Sequence, residues 1–206
     1  MSLVTPSFEF DSITFPDKKY IAGFDEVGRG CFAGPLVVAA VILPKDFLLP
    51  TPYGDSKALK EPHRTQVAKL ISSGALEYSI VRIENVLIDT IGITKCLEYG
   101  FDKAIRRLKT PVDGIILDGR SLNNNIPIDQ KAVIKGDTFS ASVAAASIIA
   151  KVYRDRLMTN LPLRYPHYGF EQHKGYGTLL HRQKLEEFGP CPLHRLSYLS
   201  KHHVFS

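Results

Sequence analysis

From Ile21 to Leu43, two apolar runs bracket a cluster of charge and glycine. Ile21-Ala-Gly-Phe-Asp25-Glu26-Val-Gly28-Arg29-Gly30 is a short apolar run that ends in two adjacent carboxylates and a loop with glycines on both sides of one arginine. Gly34 to Leu43 is then almost wholly apolar. A run like Pro35–Leu43 reads as a strand buried on both faces, inside a sheet. Lys19–Glu26 reads as the strand before it. Gly28, Gly30 and Gly34 permit backbone angles that other residues avoid, so the chain can turn back between the two. Acids at a strand end attract metal, and an open glycine loop carrying a guanidinium attracts phosphate. A site that wants both suits nucleic acid.

The rest of the chain supplies a mixed pattern. Pro62–Ile71 reads as a helix, with Pro62 suited to its first turn. Glu77–Ile83 alternates as a strand does. Leu87–Leu108 is helical in period, with a break near Gly92. Gly114–Asp118 is a short apolar strand ending in Asp-Gly, and Ala132–Ile134 is the last strand, ending at Lys135-Gly136-Asp137. Ser140–Met158 is the longest helix, and its Ala144-Ala145-Ala146 run lets a backbone pack closely. Leu179–Phe188 is a short helix stopped by Gly189-Pro190. Residues 1–17 carry two prolines and no clear period, and are expected to form a loose arm. Pro44–Tyr53 is a loop leading to Asp55-Ser56-Lys57, and Leu161–Phe170 is a proline-broken loop. The order predicts an α/β fold, a mixed sheet with helices on its faces, followed by a helical appendage.

At 206 residues the chain supports one substantial core. The longest apolar run is about half of the ~20 residues that a membrane span needs, and Met1–Asp11 lacks the pattern of a signal peptide. Three widely separated cysteines, Cys31, Cys96 and Cys191, with no CxxC pair, suggest a reduced, cytoplasmic protein. Charge is unevenly placed. Residues 151–206 hold nine Lys and Arg against four Asp and Glu, which accounts for the whole net charge of +5. Most of the histidines, with Tyr165, Tyr168 and Tyr176, lie in the same quarter. That is the footprint of a surface facing phosphates, or of a solvated basic tail.

The acids carry the chemistry. Asp25 and Glu26 are adjacent, so in a regular strand they point to opposite faces, and both reach one site only if the strand ends and bends there. Asp118 precedes a glycine at another strand end, where a plain turn would also use it. Asp137 sits between Gly136 and a helix start, where it could equally be an N-cap. Three strand ends that each carry an acid beside a glycine strengthen the functional reading. Converging carboxylates repel one another unless cations sit between them, and hard oxygen donors suit Mg2+ or Mn2+. Two such ions ~3.5–4 Å apart can hold the attacking water and the leaving oxygen of a phosphodiester in line. Cys191-Pro-Leu-His194 and His202-His203 lack partners at zinc-site spacing.

Together, Asp25-Glu26-Val-Gly-Arg-Gly30, Asp55-Ser-Lys57, Leu117-Asp-Gly119, Lys135-Gly-Asp137, Ala145-Ala-Ser-Ile-Ile-Ala-Lys-Val-Tyr-Arg-Asp155, Gly175-Tyr-Gly-Thr178 and Gly189-Pro190…His194-Arg195 resemble, in order, the signatures of ribonuclease HII. The resemblance runs from about residue 19 to about residue 197. It implies an RNase H-like fold, a five-stranded mixed sheet flanked by helices with a C-terminal helical extension. The implied division is an arm at 1–17, a catalytic domain at 18–158 and a basic substrate-binding extension at 159–206.

It further implies a divalent-metal endonuclease that cuts the RNA strand of RNA–DNA hybrids and cuts 5′ of single ribonucleotides in duplex DNA, leaving 3′-hydroxyl and 5′-phosphate ends; the protein is expected to be a monomer. The resemblance carries over Asp25, Glu26, Asp118 and Asp137 as catalytic metal ligands. It matches Gly28, Arg29 and Gly30 to the loop that reads the ribose 2′-hydroxyl, Tyr176 to a tyrosine stacked on the next sugar, and Lys57 to a phosphate contact. Arg154 and Asp155 are expected to form a structural ion pair. A different metal nuclease on the same architecture, a nucleic-acid-binding module without catalysis, and carboxylates that merely cap and turn remain as alternatives.

Overall fold

The computed structural model describes residues 6–45, 47, 61–119, 121 and 126–201. Five strands form one sheet: β1 (Ile21–Val27), β2 (Leu36–Ile42), β3 (Glu77–Ile83), β4 (Gly114–Asp118) and β5 (Asp129–Val133), in the order β3-β2-β1-β4-β5. The first three are antiparallel, while β4 runs parallel to β1 and β5 parallel to β4. The all-apolar β2 is buried at every residue, as a strand covered on both faces must be. Leu36, Val38, Ala40 and Ile42 pack with Leu97, Phe101 and Ala104 of α4 (Ile93–Arg107). Val37, Ala39 and Val41 pack with α2 (Glu61–Gly74) and α5 (Ala141–Thr159). The predicted break at Gly92 is present: α3 (Asn85–Ile91) ends there at φ 81°, and α4 follows. β5 begins at Asp129, earlier than the apolar pattern predicts. It is an edge strand, so its first residues, Asp129, Gln130 and Lys131, can be polar.

The long helix lies on β1 at close range. A Cβ on Gly23 would overlap the backbone of Ser142 and Val143, so glycine is what allows the approach. The described part of the expected loose arm contains a helix, α1 (Phe8–Thr14), capped by the Ser7 hydroxyl. Seven residues cannot hold a helix alone in water. This one forms because it docks on the start of α5. The exposed N–H groups there are each satisfied: Ala141 donates to the Ser7 carbonyl (3.2 Å), Ser142 to Asp11 Oδ2 (3.1 Å) and Val143 to Ser140 Oγ (3.2 Å).

After α5 the chain makes a 3-10 turn (Leu161–Leu163), then α6 (Phe170–His173), α7 (Leu179–Phe188) and α8 (Leu196–Lys201). The expected loop thus contains a helical turn and ends where α6 begins. Two fully buried arginines tie this part to the loop after β1. Arg154 donates to the carbonyls of Pro35, Ala33 and Lys174 (2.9, 3.1 and 2.8 Å). Arg195 donates to those of Gly34 and Arg29. The expected Arg154–Asp155 pair therefore does not form. Neighbours on a helix point about 100° apart, and Asp155 instead accepts from Lys151 Nζ (2.7 Å) and pairs with Arg64 (3.4 Å).

His173, His181 and His194 do not face phosphates either; all three are buried. Their hydrogen bonds define one consistent proton arrangement. Cys191 N–H donates to His194 Nδ1 (2.9 Å), His194 Nε2 meets His181 Nε2 (3.0 Å), and His181 Nδ1 meets the Tyr176 carbonyl (2.9 Å). Gly175 N–H donates to His173 Nδ1 (3.1 Å), whose Nε2 meets the Tyr168 carbonyl (2.7 Å). These contacts suit neutral rings, each with one nitrogen donating and one accepting; His194 Nδ1 also lies 3.2 Å from the Cys191 carbonyl. Burial lowers all three pKa values from 6.5, that of His181 to about 3 and that of His194 to about 4. Because the folded values lie below the unfolded one, the contribution to stability is complete above pH 6.5 and declines as pH falls toward 4. His181 and His194 should each cost about 1.4 kcal/mol per pH unit in that window, and His173 acts in the same direction. Urea unfolding at pH 7.5 and pH 5 should show the loss, and a His194→Gln variant should show a shallower decline. Equal slopes for the two proteins would exclude the cluster as the source.

Candidate active site

Strand pairing explains how two adjacent acids serve one cavity. β1 stays paired to β2 through Val27↔Val37, so the strand does not end at Glu26 as the sequence suggests. Its pairing with β4, however, stops at Phe24↔Leu117. Beyond Phe24 that side of β1 is open, and the chain turns at Gly28 with φ 90°. Asp25, Glu26, Gly28, Arg29, Gly30, Asp118 and Asp137 line one cavity of about 620 Å³, with Ser147, Lys151 and Tyr176. The four acids come from β1, the end of β4 and a 3-10 turn (Gly136–Thr138).

That turn is built for its acid. Asp118 Oδ1 accepts from Gly136 N–H at 2.7 Å, which joins the end of β4 to the residue before Asp137. Lys135 takes the left-handed conformation, φ 58°, to enter the turn. Asp137 is not the N-cap of α5; Ser140 is.

The electrostatics favour a cation. Asp25 is 8% exposed and accepts from Glu26 N–H at 2.7 Å. Burial pushes its pKa well above the usual carboxylate value; the charges of Glu26 and Asp118 push the same way, and a hydrogen bond with Ser147 opposes them. Burial also raises the pKa of Glu26. Asp118 adds to that, while Arg29, 3.6 Å away, counters it. Hard oxygen donors that resist ionising together are the set a divalent cation would relieve, so the residues fit Mg2+ or Mn2+. Among the described residues, no group of three or more His, Cys, Asp or Glu is already drawn together as a metal site.

The glycine loop is held from behind. A Cβ on Gly28 would strike the Arg154 side chain and the Pro35 carbonyl. The Arg29 carbonyl accepts from Arg195 Nη1 (3.0 Å) and Tyr198 Oη (2.9 Å). Gly30 is different: no described residue occupies the space where its Cβ would stand, so among the described residues that side is open to a ligand. Tyr176 sits on the loop after α6, its carbonyl on His181, its ring 5.8 Å from Lys151 Nζ and 38% of its surface exposed. Partial burial and the neighbouring Cys31 push its phenol up to about 12, so it remains protonated. Lys57 lies outside the described residues. Arg64, Ser147 and Lys151 line the cavity without having been singled out from the sequence. Ser147, Lys151 and Asp155 recur every four residues on the predicted long helix, and that spacing was the available signal for two of them. Arg64 had none, because its side chain arrives from α2.

The ribonuclease HII family model matches residues 22–202. Ribonuclease HII of Clostridium tetani is 46% identical over 199 residues, covering 95% of this chain and 73% of that protein. Ribonuclease HII of Endomicrobium trichonymphae is 40% identical over 200 residues, covering 97% and 95%. Among solved structures, ribonuclease H2 of Pyrococcus horikoshii has the same fold, with a TM-score of 0.79 at 24% identity over 90% of this chain and 97% of that one. Ribonuclease HII in its complex with PCNA from Archaeoglobus fulgidus gives 0.75 at 27% identity, again over 90% and 97%. The sheet order, the cavity at its open edge and relatives this similar over nearly the full chain lead to one conclusion: the chain belongs to the ribonuclease HII family and is an endoribonuclease of that type.

Proposed function

We propose that this enzyme hydrolyses the RNA strand of RNA–DNA hybrids and cuts on the 5′ side of single ribonucleotides embedded in duplex DNA, leaving 3′-hydroxyl and 5′-phosphate ends. The observation that carries the reading is the shared cavity: four carboxylates from three chain segments line it together with the Gly28-Arg29-Gly30 loop and Tyr176. Asp25, Glu26, Asp118 and Asp137 would hold two divalent ions, Mg2+ or Mn2+. When bound, these supply the positive charge that stabilises the attacking and leaving oxygens of an in-line displacement.

The loop selects the sugar. A 2′-hydroxyl both donates and accepts, and the open face of Gly30 admits a ribose beside the carboxylates. Tyr176 offers a protonated phenol and an aromatic face to the next sugar, where a deoxyribose fits better than a second ribose. Residues 18–158 form the catalytic unit, and 159–206 add Tyr176 and basic contacts to phosphates, with Lys57 as another. The protein works on its duplex as a monomer. No helix among the described residues is long and apolar enough to cross a membrane.

Three labelled duplexes that differ only in sugar test the reading. All-DNA should survive with Mg2+ or Mn2+ present, a hybrid should be cut within its RNA strand, and DNA with one ribonucleotide should be cut once on its 5′ side. A 2′,3′-cyclic phosphate product would make the 2′-hydroxyl the nucleophile and overturn the two-ion assignment. Comparable cutting of all-DNA would leave a general nuclease, and no cutting of any duplex would leave a binding module.

Asp25→Asn keeps the shape of the side chain and removes a charge at the centre of the cluster. It should abolish cutting while duplex affinity at one fixed salt concentration stays near wild type, because affinity rests on phosphate contacts. Wild-type cutting by this variant would exclude Asp25 from the chemistry. Tyr176→Ala should weaken cutting at a single ribonucleotide by roughly 1–3 kcal/mol, by analogy with stacking at single strands, and duplex binding by less. Equal losses in rate and binding would assign the ring to the fold alone.

A further inference from the structure

Asp11 is fully buried and lies outside the cavity, on a helix that precedes the residues matched by the family model. Its Oδ2 accepts from Ser142 N–H at 3.1 Å, and its carboxyl lies beside the Ser140 and Ser142 side chains. Oδ1 has no hydrogen-bond partner among the described residues. Burying a carboxyl group is costly, so the position serves something beyond a surface helix. The contacts around it show what that is. Ser7 N–H donates to the Phe139 carbonyl (2.9 Å), and the rings of Phe10 and Phe139 lie 5.8 Å apart. With Ser7 and Asp11 also holding Ala141 and Ser142, α1 grips residues 139–142. Asp118 holds Gly136 on the other side. Only Asp137 and Thr138 lie between the two grips.

We propose that Asp11 is a positioning residue: by fixing the first turn of α5 it holds the Asp137 carboxylate where the divalent ions bind. The inference rests on the metal reading above. A carboxylate at a helix N-terminus is favoured by the helix dipole, which suits Asp11 to the task. Its effect on the metal site passes through the Asp137 turn, the short segment between the two grips.

Calorimetric titration of Mn2+ into substrate-free protein provides the test. Asp11→Ala should bind Mn2+ several-fold more weakly than wild type. At fixed metal its kcat on a hybrid should fall roughly 10- to 100-fold, the scale of a small misplacement, with KM for the duplex unchanged. Asp11→Asn keeps an acceptor for Ser142 N–H and should recover most of both. In an Asp137→Asn background, Asp11→Ala should cost no further Mn2+ affinity. If Asp11→Ala does not fold, Phe10→Leu, which loosens Phe139, should weaken Mn2+ binding in the same direction. A folded Asp11→Ala or Phe10→Leu protein with wild-type Mn2+ affinity and kcat overturns the proposal, as does a loss that persists in full in the Asp137→Asn background. Wild-type protein that neither binds Mn2+ nor cuts would instead sink the metal reading itself. Wild-type protein that does both, beside variants that match it, would sink only this inference.

Discussion

Backbone-to-backbone contact between α5 and β1 is the constraint from which the site follows. With no Cβ at Gly23, the first turn of α5 rests directly on the strand. The alanines that follow keep the helix close along its length. One turn later Ser147 reaches Asp25, and after another turn Lys151 enters the cavity. A larger residue at position 23 would lift the helix and move these groups away from the acids. The sheet contributes the other half, because β4 stops pairing just before Asp25 and leaves that edge for side chains.

The cavity balances its charges unevenly. Asp25 is buried and Glu26 half-buried beside it, both with raised pKa values, an arrangement that is unfavourable for the apo fold by itself. Arg29 offsets Glu26 from the exposed side of the loop, while Asp155 engages Lys151 and Arg64. The cations near the acids are therefore committed in part to other partners. The cluster keeps an unmet preference for positive charge, the property that a hard-metal site requires.

Much of this was legible in the sequence, for reasons that can be named. Strands buried on both faces announce themselves as apolar runs, so β1, β2 and β4 were readable, and the acids at their ends with them. β5 was readable only in part, since an edge strand has no need to be apolar. The helical nature of Phe8–Thr14 was not readable. It has no apolar period, and its stability comes from partners more than a hundred residues away. Arg64 was hidden for a similar reason, because what places it in the cavity is packing between α2 and α5. The histidines misled in the opposite direction: composition marks a basic, aromatic quarter but cannot distinguish a solvated imidazole from a buried one. Asp25 and Glu26 were expected to need a strand end; an edge left open on one side sufficed.

The histidine chain has a consequence for metal selection. In His173, His181 and His194 both ring nitrogens are already committed, each to a backbone group or to another ring. A soft or borderline ion such as zinc or copper needs a bare imidazole nitrogen, and would have to break this chain to obtain one. The cluster therefore keeps three good transition-metal ligands, with the half-buried Cys191 beside them, out of circulation. While the fold is intact these three rings offer no free nitrogen, and the cavity at the open edge of β1 offers carboxylate oxygens instead.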